Sequence, residues 1–298
     1  MKIGLSSYSI SRAISAGEMN ILDAIRWVAE KGGEHMEVVP GAFQIKDPGD
    51  PIIQQIRDTA KECGIALSNY AVSGNFAAGS PEDRKKEVER LKGQVDIAAA
   101  LGVSLMRHDA AHFGGDARQN SIEAFDRLLP QMAEGCAAVS EYAAQYGITT
   151  SIENHGWFNN GAERVIRLVK AVGRDNFGLT LDIGNFVCVD ECPNIAVEKC
   201  LPYATMVHFK DFYLRHKPLE TLNAGGGCWF PSQFGTAICG SVIGWGDLDI
   251  PSIVAAIVKS GYDGFVSIEF EGAEECRYAS QCGLGVLKGL FAGHQASR

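Results

Sequence analysis

One phrase recurs along the chain: an amphipathic stretch, a glycine, a short apolar run, then polar residues. Gly64 precedes Ile65-Ala66-Leu67, Gly102 precedes Val103-Ser104-Leu105-Met106, Gly147 precedes Ile148, and Gly264 precedes Phe265-Val266. A glycine just past a helix supplies the left-handed residue that closes it. A short β-rich run is what a strand covered on both faces requires. Their alternation predicts parallel βα units. Strands are expected to begin near Ile3, His35, Ile65, Val103, Ile148, Phe177, Thr205 and Phe265. Helices are expected near 20–31, 50–63, 81–101, 119–146, 161–173, 193–202, 250–260 and 275–291. Ser80 as N-cap, Pro81 at the first helical position and acids at Glu82 and Asp83 mark the start of the third. Eight such units closing on themselves make a (β/α)₈ barrel, read as a single domain over residues 1–298. An open doubly wound sheet, the alternative, more often has fewer strands.

The connection over 212–249 is longer than the others and holds Gly225-Gly226-Gly227, Trp229 and Phe230. At the mouth of a barrel such a segment is expected to be a lid or binding loop.

Active sites of α/β barrels are built at the C-terminal ends of the strands. Strand five ends Ile152-Glu153-Asn154-His155, strand six Leu181-Asp182-Ile183-Gly184-Asn185, strand seven Val207-His208-Phe209-Lys210-Asp211, and strand eight Ile268-Glu269-Phe270-Glu271. Each run is apolar up to one acid or histidine. Carboxylates converging in a low-dielectric mouth repel one another, and a cation resolves the repulsion. Glu153, Asp182, His208 and Glu269 are therefore expected to hold one divalent ion. Three carboxylates and an imidazole suit Mn²⁺ first, with Mg²⁺, Co²⁺ or Zn²⁺ as alternatives. His155, Lys210, Arg107, His108, Asn185 and Trp229 are candidate substrate contacts, and Glu37 stands at the end of strand two. Trp157, Phe158 and Phe230 are candidates for an apolar wall, and His112-Phe113-Gly114-Gly115 follows strand four.

Composition narrows the partners. Apolar residues make up 46% of the 298 and charged residues 21%, as expected of a globular protein with a large core. The net charge is −9, with Lys and Arg scattered, which disfavours nucleic acid. The N-terminus lacks a signal-peptide pattern, and no window is apolar enough for a membrane span. The nine cysteines are an odd number and read as reduced thiols in a cytoplasmic protein. Cys188, Cys192 and Cys200 are too loosely spaced for a zinc site. A homo-oligomer is left open.

The strand-end motifs, with Gly244-Trp245-Gly246-Asp247 and Gly261-Tyr262-Asp263-Gly264, resemble the xylose isomerase-like TIM barrels, the sugar phosphate isomerase/epimerase superfamily. The resemblance implies a metal-dependent isomerase or epimerase acting on a sugar, keto-polyol or sugar phosphate. It implies Glu153 and Glu269 as both ligands and catalytic carboxylates, one removing and one returning a proton beside a carbonyl through a metal-stabilised enediolate. Asp182 and His208 are then pure ligands. The chain departs from the ketose 3-epimerase pattern at Asn159, Asn185 and Leu214, where that pattern has Glu, His and Arg. These departures leave open a lyase on the same barrel, such as a keto-inositol or dehydroshikimate-type dehydratase or a C-glycoside deglycosidase subunit. A non-catalytic sugar-binding barrel is a further alternative. An endonuclease-IV-like activity is disfavoured, because strand three ends Ser68-Asn69-Tyr70 without the expected histidine.

Overall fold

A computed structural model describes residues 1–112, 120–224 and 226–296. Phe113, Gly114, Gly115 and Gly225 of the motifs above, the start of the helix near 119 and the last two residues of the 1–298 span lie outside them.

Eight parallel strands close into a barrel: β1 (Lys2–Ser6), β2 (His35–Val38), β3 (Ala66–Val72), β4 (Leu105–His108), β5 (Thr149–Glu153), β6 (Phe177–Asp182), β7 (Ala204–Phe209) and, after three strands of a separate sheet, β11 (Phe265–Ile268). Around the wall they run β1-β11-β7-β6-β5-β4-β3-β2. The helices outside are α1 (Ser11–Ser15), α2 (Ile21–Glu30), α3 (Pro51–Cys63), α4 (Pro81–Leu101), α5 (Ile122–Ala144), α6 (Ala162–Val172), α7 (Pro193–Cys200), α9 (Ile250–Ser260) and α10 (Cys276–Ala296). Every residue of β2 and β6 is buried, the consequence of a sheet with a filled interior on one face and helices on the other. All eight expected strands are present. The short helical turns from Ser7 to Ser15 were not foreseen, having too few residues to show a period.

Helix starts follow side-chain chemistry. Ser80 accepts from the Asp83 amide while Asp83 returns a bond to the Ser80 backbone, with Pro81 in the first turn. The same helix ends on Gly102 at φ 75°, a conformation that a Cβ disfavours.

The 212–249 connection is folded. The separate sheet is antiparallel, ordered β8 (Asp211–Arg215), β10 (Ala237–Ser241), β9 (Phe230–Pro231), with the short helix α8 (Leu219–Leu222) between. Asp211 ties down its far end, accepting backbone N–H bonds from Phe212, Gly244, Gly246 and Leu248 at 2.8–3.3 Å. Gly240 pairs with Gly272, which anchors the sheet beside the segment after β11.

The expectation that all nine cysteines are reduced thiols is corrected here: Cys228 and Cys239 form a disulfide. Antiparallel pairing of β9 with β10 brings the two positions together across 11 residues, a proximity that linear spacing hides. Cys63, Cys136, Cys188, Cys192, Cys200, Cys276 and Cys282 are free thiols. Among the described residues no helix is long and apolar enough to cross a membrane.

Candidate metal centre

Neighbouring strands deliver four side chains to one point. Glu153 ends β5, Asp182 ends β6, His208 is the next-to-last residue of β7, and Glu269 follows β11 directly. Asp182 pairs with His208 across β6 and β7, and Ser267, two residues before Glu269, pairs with His208 on the other side. One ligand-capable atom from each of the four lies within 4.8 Å of the others, and all four residues are buried.

Three of them are held at one atom and open at another. Asp182 Oδ1 accepts the N–H groups of Gly184 and Asn185, both at 2.8 Å, while its Oδ2 has no hydrogen-bond partner. Glu153 Oε1 accepts Asn185 Nδ2 at 2.9 Å. Its Oε2 lies 2.6 Å from Arg107 Nη2, an ion pair without hydrogen-bond alignment. His208 Nε2 meets Glu37 Oε1 at 3.1 Å, and its Nδ1 is unpartnered. The fourth, Glu269, lies with Oε2 2.7 Å from Lys210 Nζ. Each buried polar atom left unsatisfied costs about 1–3 kcal/mol. Asp182 Oδ2 and His208 Nδ1 are two such atoms, and with Glu153 Oε2, whose one partner is the Arg107 ion pair, they fit a divalent cation with hard oxygen and imidazole ligands.

The charge balance says the same. Glu37, Asp109, Glu153, Asp182 and Glu269 are buried carboxylates, faced by two permanent cations, buried Lys210 and nearly buried Arg107. Acid therefore exceeds base in a region of low dielectric, where like charges repel strongly. Burial, together with the nearby Glu153 and Glu269, pushes Asp182 up to about 6 against the pull of Lys210. Burial also opposes ionisation of Glu269, but Lys210 and His208 outweigh it and hold that carboxyl well below its usual range. For His208, burial disfavours the imidazolium. The carboxylates of Glu37 and Glu269 overcome this and raise its pKa well above the ordinary value.

The expected substrate contacts divide into three groups. Arg107, Asn185 and Lys210 join the cluster. Lys210 Nζ stands 3.3 Å from Asn185 Oδ1, 3.5 Å from Glu271 Oε2 and 3.6 Å from Asp182 Oδ2. Its stem fits because position 184 is glycine: a Cβ there would meet Lys210 Cβ at 2.7 Å. His155 lies at the edge, its ring 41% exposed, with Nδ1 3.2 Å from Asp109 Oδ1. Burial lowers its pKa, but the Asp109 carboxylate prevails and raises it.

His108 and Trp229 are not brought to the cluster by any contact among the described residues. Side chains alternate along a strand. With Arg107 facing the mouth, His108 faces the helices, packed beside Phe76 and Phe177 at 6.0 and 6.3 Å. Burial lowers its pKa, favouring the neutral ring. Trp229 belongs to the small sheet, pinned through its backbone by Asn223 and stacked under Arg215. Trp157 and Phe230 form a T-shaped pair at 6.5 Å, with Phe212 6.4 Å beyond, whereas Phe158 is core against Phe125. Trp157 holds φ 68°, an uncommon backbone for a bulky residue. Asp109 and Glu37 also enter this network, Asp109 beside Arg107 and His155 and Glu37 beside His208. Glu37 was legible by the strand-end rule, but its partner lies 171 residues away.

Residues 25–288 match the family described as xylose isomerase-like TIM barrel, and the chain belongs to that family. The C-glycoside deglycosidase alpha subunit of Arthrobacter globiformis is 27% identical over 173 residues. That alignment covers 55% of this chain and 41% of the relative, less than half its length. Among solved structures, an L-ribulose 3-epimerase superposes with a TM-score of 0.76 at 15% identity, covering 99% of this chain and 96% of that one. A D-allulose 3-epimerase from Methylomonas sp. gives 0.72 at 18% identity, covering 97% and 98%. Identities this low establish a common fold and nothing finer.

Proposed function

We propose that this chain is a divalent-metal-dependent enzyme that moves a proton beside the carbonyl of a sugar or keto-polyol, as an isomerase or epimerase. One observation carries the reading: two carboxylates suited to acid–base work, Glu153 and Glu269, share one buried cluster with Asp182 and His208, and Glu153 Oε2, Asp182 Oδ2 and His208 Nδ1 make no hydrogen bond there. The four residues would hold the ion, Mn²⁺ by preference. A bound divalent ion supplies Lewis acidity, drawing electron density from the substrate carbonyl and making the adjacent C–H easier to deprotonate.

The chain's own groups do the rest. Glu269, kept ionised by Lys210, takes the proton. Glu153, fixed at Oε1 by Asn185, is placed to return one. Lys210 and Arg107 offset charge on the oxygens of the reacting centre, and Asn185 fixes Glu153 relative to Lys210. His155, backed by Asp109 and open to the mouth, contacts a substrate hydroxyl. A lyase on the same barrel is the second reading. It is favoured by the similarity to the deglycosidase subunit and by the His155–Asp109 pair, which is suited to protonating a leaving oxygen.

Incubation in D₂O with a panel of ketoses and keto-inositols tests the reading. One deuterium per turnover at the carbon next to the carbonyl is expected, with product of unchanged formula for an isomerase and loss of water for a dehydratase. Absence of exchange with every member of the panel, in metal-loaded protein, sinks the proposal.

Proton linkage gives a further expectation. Metal ligation requires a neutral His208 and an ionised Asp182, so the ion competes with protons at both. Both groups have raised pKa values and hold their protons to higher pH than usual. Apparent Mn²⁺ affinity is therefore expected to fall with falling pH, more steeply below about 6, where Asp182 takes up its proton. Titration calorimetry at several pH values, in buffers of different ionisation enthalpy, should show protons released on binding. Affinity independent of pH would contradict this ligand set.

A further inference from the structure

We infer that Glu37, braced by Asn69, is the positioning residue that turns the His208 ring so that Nδ1 faces the cation site. The inference rests on the metal reading above and adds a residue outside the four ligands.

An imidazole can present either nitrogen to a metal. Which one it presents is settled by the bond the other nitrogen makes. In this barrel the choice is made from a strand across the interior. Glu37 lies on β2, three strands around from β7, and its side chain crosses the interior to bring Oε1 to 3.1 Å from His208 Nε2. With a proton on Nε2 donated to Glu37, the lone pair sits on Nδ1. That atom is buried, has no hydrogen-bond partner, and lies 3.8 Å from both Glu153 Oε2 and Glu269 Oε2. Glu37 is in turn held by Asn69 Nδ2, which donates to the same Oε1 at 2.7 Å.

A stability role alone explains this poorly. Glu37 and Asn69 are both fully buried, in a barrel interior usually filled by apolar layers. Burying an ion pair rarely stabilises a fold against an apolar alternative. Moreover, Glu37 Oε2 and Asn69 Oδ1 are left without partners, so the pair is poorly satisfied as a structural element. What it does accomplish is a single ring orientation at the one nitrogen ligand of the cluster.

The test uses the full chain and Mn²⁺ affinity measured by competition with a chelating fluorophore. Glu37→Ala is expected to lose about 10–100-fold in affinity with an unchanged circular dichroism spectrum. Glu37→Gln, which keeps an acceptor oxygen, is expected to lose less, and Asn69→Ala to lose affinity although it touches no ligand. A purely structural role would not alter which nitrogen binds. Long-range ¹H–¹⁵N NMR of the Zn²⁺-loaded protein should show His208 bound through Nδ1 in the wild type and through a mixture of nitrogens in Glu37→Ala. Should Glu37→Ala fail to fold, Glu37→Gln and Asn69→Ala are read by the same two measurements. Wild-type affinity, within about two-fold, and an unchanged His208 pattern in the folded variants would overturn the inference alone. A wild type that binds neither Mn²⁺ nor Zn²⁺ would overturn the metal reading and this inference together.

Discussion

Glu269→Gln is expected to keep the barrel folded and to lose turnover by at least about 10²–10⁴-fold, the range a positioned acid–base group supplies. Gln has nearly the same shape, so strand β11 and the hydrogen bond that the backbone N–H of residue 269 donates to the Phe209 carbonyl should be undisturbed. What changes is chemistry: an amide cannot accept the proton that the mechanism requires Glu269 to take. The substitution also removes the nearest carboxylate from Lys210, which keeps Asp182 at 3.6 Å and Glu271 at 3.5 Å. The lysine therefore stays paired, and the fold should tolerate the change. Deuterium exchange separates two versions of the mechanism. If Glu153→Gln and Glu269→Gln both stop exchange, two carboxylates act in turn. If only Glu269→Gln does so, Glu153 is a ligand held in place by Arg107 and Asn185, and proton transfer is confined to one face. Unaltered exchange in Glu269→Gln would remove its acid–base role.

The parts of the site that were legible in the sequence share a cause. A buried strand is apolar, so a single acid or histidine at its end stands out, and barrel geometry brings the ends of neighbouring strands together. Glu153, Asp182, His208 and Glu269 were visible for that reason. The roles of Arg107 and His108 were not separable in sequence. They are adjacent in a four-residue strand, and only the register with β3 and β5 decides which one enters the mouth. The sheet built from 211–241 was hidden because its strands are short and its turns irregular, so no period develops. The disulfide was hidden with it. Lys210 read as a substrate contact, and its nearest partner is the carboxylate of Glu269, a proposed metal ligand. A charged side chain's partner is a three-dimensional fact, and three acids, Asp182, Glu269 and Glu271, lie within reach of Lys210.

The second large effect is expected at His208. Its Ala variant removes the proposed nitrogen ligand and should weaken Mn²⁺ binding by more than the roughly 100-fold upper range seen when an outer partner is lost, about 2.8 kcal/mol or more at 1.4 kcal/mol per decade. The same change has a separate structural cost. Glu37 is fully buried and loses its partner, keeping only Asn69, and breaking a buried pair on one side costs about 3–5 kcal/mol. The two effects can be pulled apart. In His208→Ala/Glu37→Gln the stranded charge is gone, so denaturant stability without added metal should recover much of the loss, whereas Mn²⁺ affinity should stay low. Wild-type protein should melt at higher temperature with Mn²⁺ than without, since binding to the folded state alone stabilises it, and both variants should lose that shift. Recovery of metal binding in the double variant would mean that His208 acts through Glu37 and not as a ligand. An undiminished Mn²⁺ shift in His208→Ala would place the ion elsewhere, and the cluster at the strand ends would then need another occupant for its unpartnered atoms.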